Sequence, residues 1–164
     1  MARPKIKLKP GPIDKTLEIL GMIGVLLLIG LPVYYFSSLP DTIPMHYGFT
    51  GKPDGFGGKA TIWITPIMGF LMYAGMTVLN KFPHIFNYPV EITPENAEKQ
   101  YRIATRAIRL LITVMVYFFC YSTYTTIRIA VEEQSGLGSY YLLIFLTTIF
   151  GIIGALLYKS LKEK

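Results

Sequence analysis

The chain is short of several things that a soluble protein of its size usually has. Only 16% of its 164 residues are charged, and it contains one cysteine, one tryptophan and two histidines. Soluble domains carry about 25% charged residues, so this sequence lacks the groups needed to wet a globular surface. A single cysteine excludes a disulfide framework. The 52% apolar content excludes a disordered chain. Acidic residues are scarce relative to basic ones, 10 against 16, which leaves a formal net charge of +6. That balance is compatible with nucleic acid or with a membrane surface, and the position of the charges along the chain decides between them.

The charges leave four long gaps, at 19–40, 60–80, 110–127 and 134–158. A helix needs roughly 20 mostly apolar residues to cross a bilayer, and each gap is close to that length or above it. The expected fold is an all-α integral membrane protein with four transmembrane helices, at about 17–38, 60–80, 108–130 and 138–158. A basic, flexible arm (1–16) precedes this single four-helix domain (17–158), and a short tail (159–164) follows it. The first span is too long for a typical signal-peptide core and lacks an A-x-A-like exit, so a retained anchor is expected.

Thirteen of the sixteen Lys and Arg residues fall in the N-terminal arm, the segment between spans two and three, and the tail. Only Lys52, Lys59 and Arg128 lie on the other side. The positive-inside rule then predicts cytoplasmic N- and C-termini and a multi-pass protein of the cytoplasmic membrane. The same partition accounts for the basic balance without a nucleic-acid partner. The lipid bilayer itself is the first partner expected, with the arm's lysines near anionic headgroups.

Local helix signals are specific in places. Thr93-Pro94-Glu95 has the form of an N-cap, an N1 proline and a first-turn acid. Glu95 with Lys99 and Glu98 with Arg102 are i,i+4 pairs in the favourable order. Pro66 either opens the second span or kinks it. Gly21 and Gly24, and Gly151 and Gly154, would permit close backbone approach.

The extracytoplasmic loop at 39–59 is too long and too mixed for a plain connector. Pro40, Pro44 and Pro53 stiffen it, five glycines supply turns, and Met45, Tyr47, Phe49 and Phe56 are too apolar for a solvated tether. An ordered cap on the outer membrane surface is expected. Its concentrated polar groups are His46, Asp54 and Lys59. They suit a site for an external peptide or ion, with His46 able to titrate near neutral pH. The competing reading is a histidine and an aspartate bonded to loop backbone, a common use of Asp in Gly-rich turns.

Leu39-Pro40-x-x-Ile43-Pro44, followed by His46, Gly51, Pro53-Asp54 and Lys59 ahead of a Pro-containing span, resembles a bacterial membrane domain of unknown function. That domain forms the N-terminal half of SdpI-like immunity proteins. Asn87-Tyr88-Pro89 and the stretch from Glu95-Asn96 to Gln100-Tyr101-Arg102 are similar to short, stand-alone members. The resemblance extends over about 19–109 and leads to the expectation of a short member lacking the C-terminal SdpI region. It implies immunity to a secreted peptide toxin and signalling through a repressor held at the membrane.

A second polar constellation runs along the third helix. At 100° per residue, Arg102, Arg106, Arg109, Thr113, Tyr117, Tyr124 and Arg128 fall within roughly a 100° arc. Such a stripe faces protein or a water-filled cavity, because lipid would leave its groups unpaired. It reads either as a lined pathway or as a packing seam flanked by interfacial arginines. Glu18 is the candidate partner for one of these arginines, and Glu132 or Glu133 for Arg128.

Catalysis finds no support in the pattern, and no cofactor or metal is expected. His46 and His84 fall on opposite sides of the membrane, Cys120 lies mid-span, and no H-E-x-x-H occurs. Three functional readings follow. The first is recognition of a peptide toxin or membrane-active compound by the outer loop. The second is a homo-oligomeric transporter or channel subunit. The third is an assembly partner in a larger membrane complex, with the Arg102–Arg106–Arg109 face docking a cytoplasmic regulator.

Overall fold

The computed structural model describes residues 3–163. Residues 1, 2 and 164, at the ends of the arm and tail read from the sequence, lie outside it. Four α-helices account for most of the chain: α1 (Pro12–Tyr35), α2 (Ile64–Leu79), α3 (Ala97–Ala130) and α4 (Tyr141–Lys162). With the 3₁₀ turns that extend α1 and precede α2, all four are long and apolar enough to cross a membrane.

The fold is mostly helical and not purely so. The loop after α1 is a β-hairpin of two antiparallel strands, β1 (Thr42–Tyr47) and β2 (Pro53–Gly58). Pro44 pairs with Phe56 and His46 with Gly55, so Met45 is left over as a bulge. A bulge bends its strand and re-aims side chains. The hairpin reverses at Gly51, whose φ of +73° needs a residue without Cβ.

The long central helix, α3, contacts all the other elements of the bundle. Hydrogen bonds from α3 to α1 advance together along both helices: Thr113 Oγ1 to the Leu17 carbonyl (3.2 Å), Tyr117 Oη to that of Leu20 (3.1 Å) and Cys120 Sγ to that of Gly24 (3.2 Å). The two helices are therefore parallel. Gly24 permits this approach, since a Cβ there would meet Val116 of α3 at 2.8 Å, and Gly21 makes room for α2 as well, since a Cβ there would meet its Tyr73 at 2.5 Å. Val25, Leu28, Ile112 and Val116 form the core at this crossing. A second core, Leu39, Ile43, Ile62 and Ile127, seats the root of the hairpin on the end of α3.

Helix ends follow local chemistry. Pro66 lies in the first turn of α2 and so opens that helix. Regular α3 geometry starts at Ala97, three residues beyond the proline, because 94–96 form a turn. The N-cap is Asn96 instead of Thr93, whose carbonyl accepts from Ala97 N–H at 3.0 Å and whose N–H donates to Asn96 Oδ1 at 3.0 Å. A side-chain bond to Thr93 holds the Glu95 carboxyl below its ordinary pKa. Glu95 does not pair with Lys99, which bonds Glu163 instead, whereas Glu98 and Arg102 pair at 2.9 Å.

Residues 3–11 run extended across the end of the bundle. Pro4, Ile6 and Leu8 turn partly inward while Lys5, Lys7 and Lys9 point out. Tyr101 Oη donates to the Pro4 carbonyl at 3.0 Å, and Arg3 donates to the Phe86 carbonyl while covering the Tyr88 ring. Burial raises the Tyr88 pKa, the neighbouring Tyr101 raises it further, and the Arg3 charge only partly offsets this.

Candidate functional site

The outward face of the hairpin carries the polar residues singled out by sequence, but not all in one place. His46 Nδ1 and Asp54 Oδ1 lie 2.5 Å apart across the strands, and both side chains are largely exposed. Gly55 opposite His46 makes room, since a Cβ there would meet the His46 Cβ at 2.9 Å. Lys59 is at the base of the hairpin instead. Its Nζ is 3.2 Å from Asp41 Oδ1 and 5.7 Å from the centre of the Phe36 ring, which ties the strand exits to the end of α1.

Apolar side chains flank the His46–Asp54 pair. Met45 and Phe56 are more than half exposed, and Phe49 at the turn is 88% exposed. Their neighbours are fixed. Ile43 is fully buried, and Tyr47 Oη and Thr126 Oγ1 share a 2.7 Å hydrogen bond onto α3. Burial raises the Tyr47 pKa, opposed by that bond. The turn is also held, because the Gly51 carbonyl accepts from Leu137 N–H at 2.7 Å in the α3–α4 loop. A soft, exposed face on a rigid root can offer a partner both contact area and hydrogen-bonding groups.

The α3 stripe divides into three groups. At one end Arg106 Nε reaches Asp14 Oδ1 at 3.1 Å, and Arg109 Nε reaches Glu18 Oε1 at 2.8 Å. Arg102 bonds Glu98 and the Lys9 carbonyl. In the middle, Thr113 and Tyr117 donate to α1 carbonyls as described above. At the far end Arg128 pairs with Glu133 at 2.6 Å and with the ring and hydroxyl of Tyr124. A backbone carbonyl has two lone pairs, so it can accept such a bond while keeping its helical one.

Sequence reasoning anticipated Glu18 and Glu133 and missed Asp14. Its spacing of four from Glu18 puts both acids on one helix face, as the spacing of three does for Arg106 and Arg109, which is the signal that could have found it. It also missed Gln100, which is buried with its amide donating to the carbonyls of Ser160 (2.9 Å) and Glu163 (2.8 Å). Ser160 Oγ donates back to Gln100 Oε1 at 2.5 Å. This side chain closes the last turn of α4, where carbonyls have no helical partner. His84 lies in the 3₁₀ turn Pro83–Ile85, across the bundle from His46. Among the described residues, no three His, Cys, Asp or Glu side chains are grouped so as to hold a metal ion.

Residues 23–70, from within α1 through the hairpin into α2, match a family described as a domain of unknown function (DUF1648). The chain is also 30% identical over 95 residues to an uncharacterised protein of the archaeon Archaeoglobus fulgidus. The match covers 51% of this chain and 52% of that protein, so the chain spans about half the length of this curated relative. No solved structure matches it. The family match therefore centres on the hairpin and on the two helices that carry it.

Proposed function

We propose that this chain is a multi-pass protein of the cytoplasmic membrane, with both ends in the cytoplasm, and that its hairpin recognises a peptide or membrane-active compound outside. The observation that carries the reading is the outward face of the hairpin, where exposed Met45 and Phe56 flank the His46–Asp54 pair. Exposed apolar side chains gathered into one patch and bordered by polar groups are the kind of surface that marks an interaction site. The resemblance to SdpI-like immunity proteins supports a role in immunity or envelope sensing, in which a cytoplasmic regulator would be the second partner.

A transporter or channel has less in its favour. The mid-membrane donors of α3 are bonded to α1 carbonyls, which leaves them unavailable to a permeating ion or solute.

The test is photo-crosslinking from position 46 in intact cells. His46 is exposed, so replacing it should change stability by no more than about 0.5 kcal/mol. Capture of a peptide supports recognition. Capture of lipid alone, at normal protein levels, would remove the basis for it.

A further inference from the structure

α4 is poorly covered. Its one buried residue, Ser160, lies in the last turn, and it packs mainly on α3. Between α4 and α1, floored by α3, runs a cleft in two halves of about 820 and 800 Å3. Gly151 faces open space here, with nothing within 4 Å of where a Cβ would stand.

Several polar side chains lining this cleft are hydrogen-bonded within the bundle. Thr147 donates to the Leu143 carbonyl (2.8 Å), Thr148 to that of Ile144 (2.7 Å) and Tyr141 to that of Phe118 (3.2 Å). With Thr113 and Tyr117 bonded to α1, the walls away from the charged mouth are mostly hydrocarbon. Water held there would lack the two to four polar partners that it needs. The natural content is an apolar chain.

The mouth of one half is the opposite of apolar. Lys99, Arg102, Arg106, Lys159 and Lys162 line it, against Glu163. Arg106, Arg102 and Lys99 have carboxylate partners, while among the described residues neither Lys159 nor Lys162 makes an ion pair. From Lys99 to Leu110 this half rises about 17 Å along α3 at about 1.5 Å per residue.

We propose that this cleft binds an anionic phospholipid, with its acyl chains along Leu17, Leu110 and Gly151 and its phosphate between Lys159, Lys162 and Arg106. Charge selects this occupant over a second copy of the chain. Copies in one membrane share an orientation, so a docked copy would bring its own basic rim to the same level, where like charges repel.

The test is native mass spectrometry of the delipidated full chain, titrated with phosphatidylglycerol and with phosphatidylcholine of the same acyl chains. Phosphatidylglycerol should be retained roughly tenfold better, and K159Q/K162Q should bring the two lipids close to parity. Gly151→Leu fills the cleft from open space, and should reduce retention of both lipids while helicity is unchanged. Equal retention of the two lipids by the unaltered chain would overturn the proposal. So would full retention by the Gly151→Leu variant, or disulfide-linked dimers formed through Gly151→Cys in a Cys120→Ala background.

Discussion

Asp14 is the most consequential single side chain that composition does not advertise. Its side chain is 4% exposed, yet it carries a carboxylate bonded to Arg106 and to the Gly11 N–H at 2.8 Å. A buried charge tolerates this only while its partners are in place. Replacing Arg106 by Ala should therefore cost about 3 kcal/mol of stability. The double change Asp14→Asn, Arg106→Ala should recover a large part of that, because no uncompensated charge remains. Denaturant unfolding of the two single variants and the double variant measures the coupling directly. If the double variant loses the sum of what the two single variants lose, the pair contributes no coupling. The arginines were legible in the sequence as a stripe on one helix face. Their partners were only half legible, since Glu18 sits in an otherwise apolar segment while Asp14 precedes the span and looks like an ordinary first-turn acid.

At the scale of elements, the hairpin and α4 show what local pattern hides. The stretch 39–59 reads as an ordered loop because Pro44, Gly55, Gly57 and Gly58 are poor strand residues. It forms strands because Ile43 and Tyr47 have a docking place on α3, which no local preference records. The attachment of α4 is similar, with Gln100 reaching sixty residues along the chain to close its last turn. Lys99 adds an ion pair to Glu163, and the hydrogen bond in that pair holds the Glu163 carboxyl below its ordinary pKa. A depressed carboxylate contributes fully above its unfolded value, and the contribution is lost as pH falls through the lower folded value. The end of α4 should therefore loosen below about pH 4, the usual range for a free glutamate. Hydrogen exchange of residues 156–163 as a function of pH is the measurement. Protection that stays flat down to pH 3, or that falls equally in the Glu163→Gln variant, would show that this pair is not responsible.

At the scale of the molecule, α1 and α3 run parallel, and the N-terminal arm, the start of α3 and the end of α4 gather at one end of the bundle. The hairpin occupies the other end. On the both-ends-in arrangement proposed above, impermeant labelling of single cysteines in a Cys120→Ala background should reach position 49 from outside the cell. Positions 7 and 162 should be labelled only after permeabilisation. Labelling of all three from one side would contradict the both-ends-in arrangement.

The sequence by itself determined the number of spans and the sorting of charge, because exclusion of charge from hydrocarbon acts on each segment independently of the others. Tertiary structure decided how the polar groups are used. It put Lys59 at the base of the hairpin and away from His46, bonded the α3 stripe to α1, and left the cleft beside α4 open. Those outcomes depend on pairing between residues far apart in the chain, where a donor takes whichever acceptor the packing brings within reach.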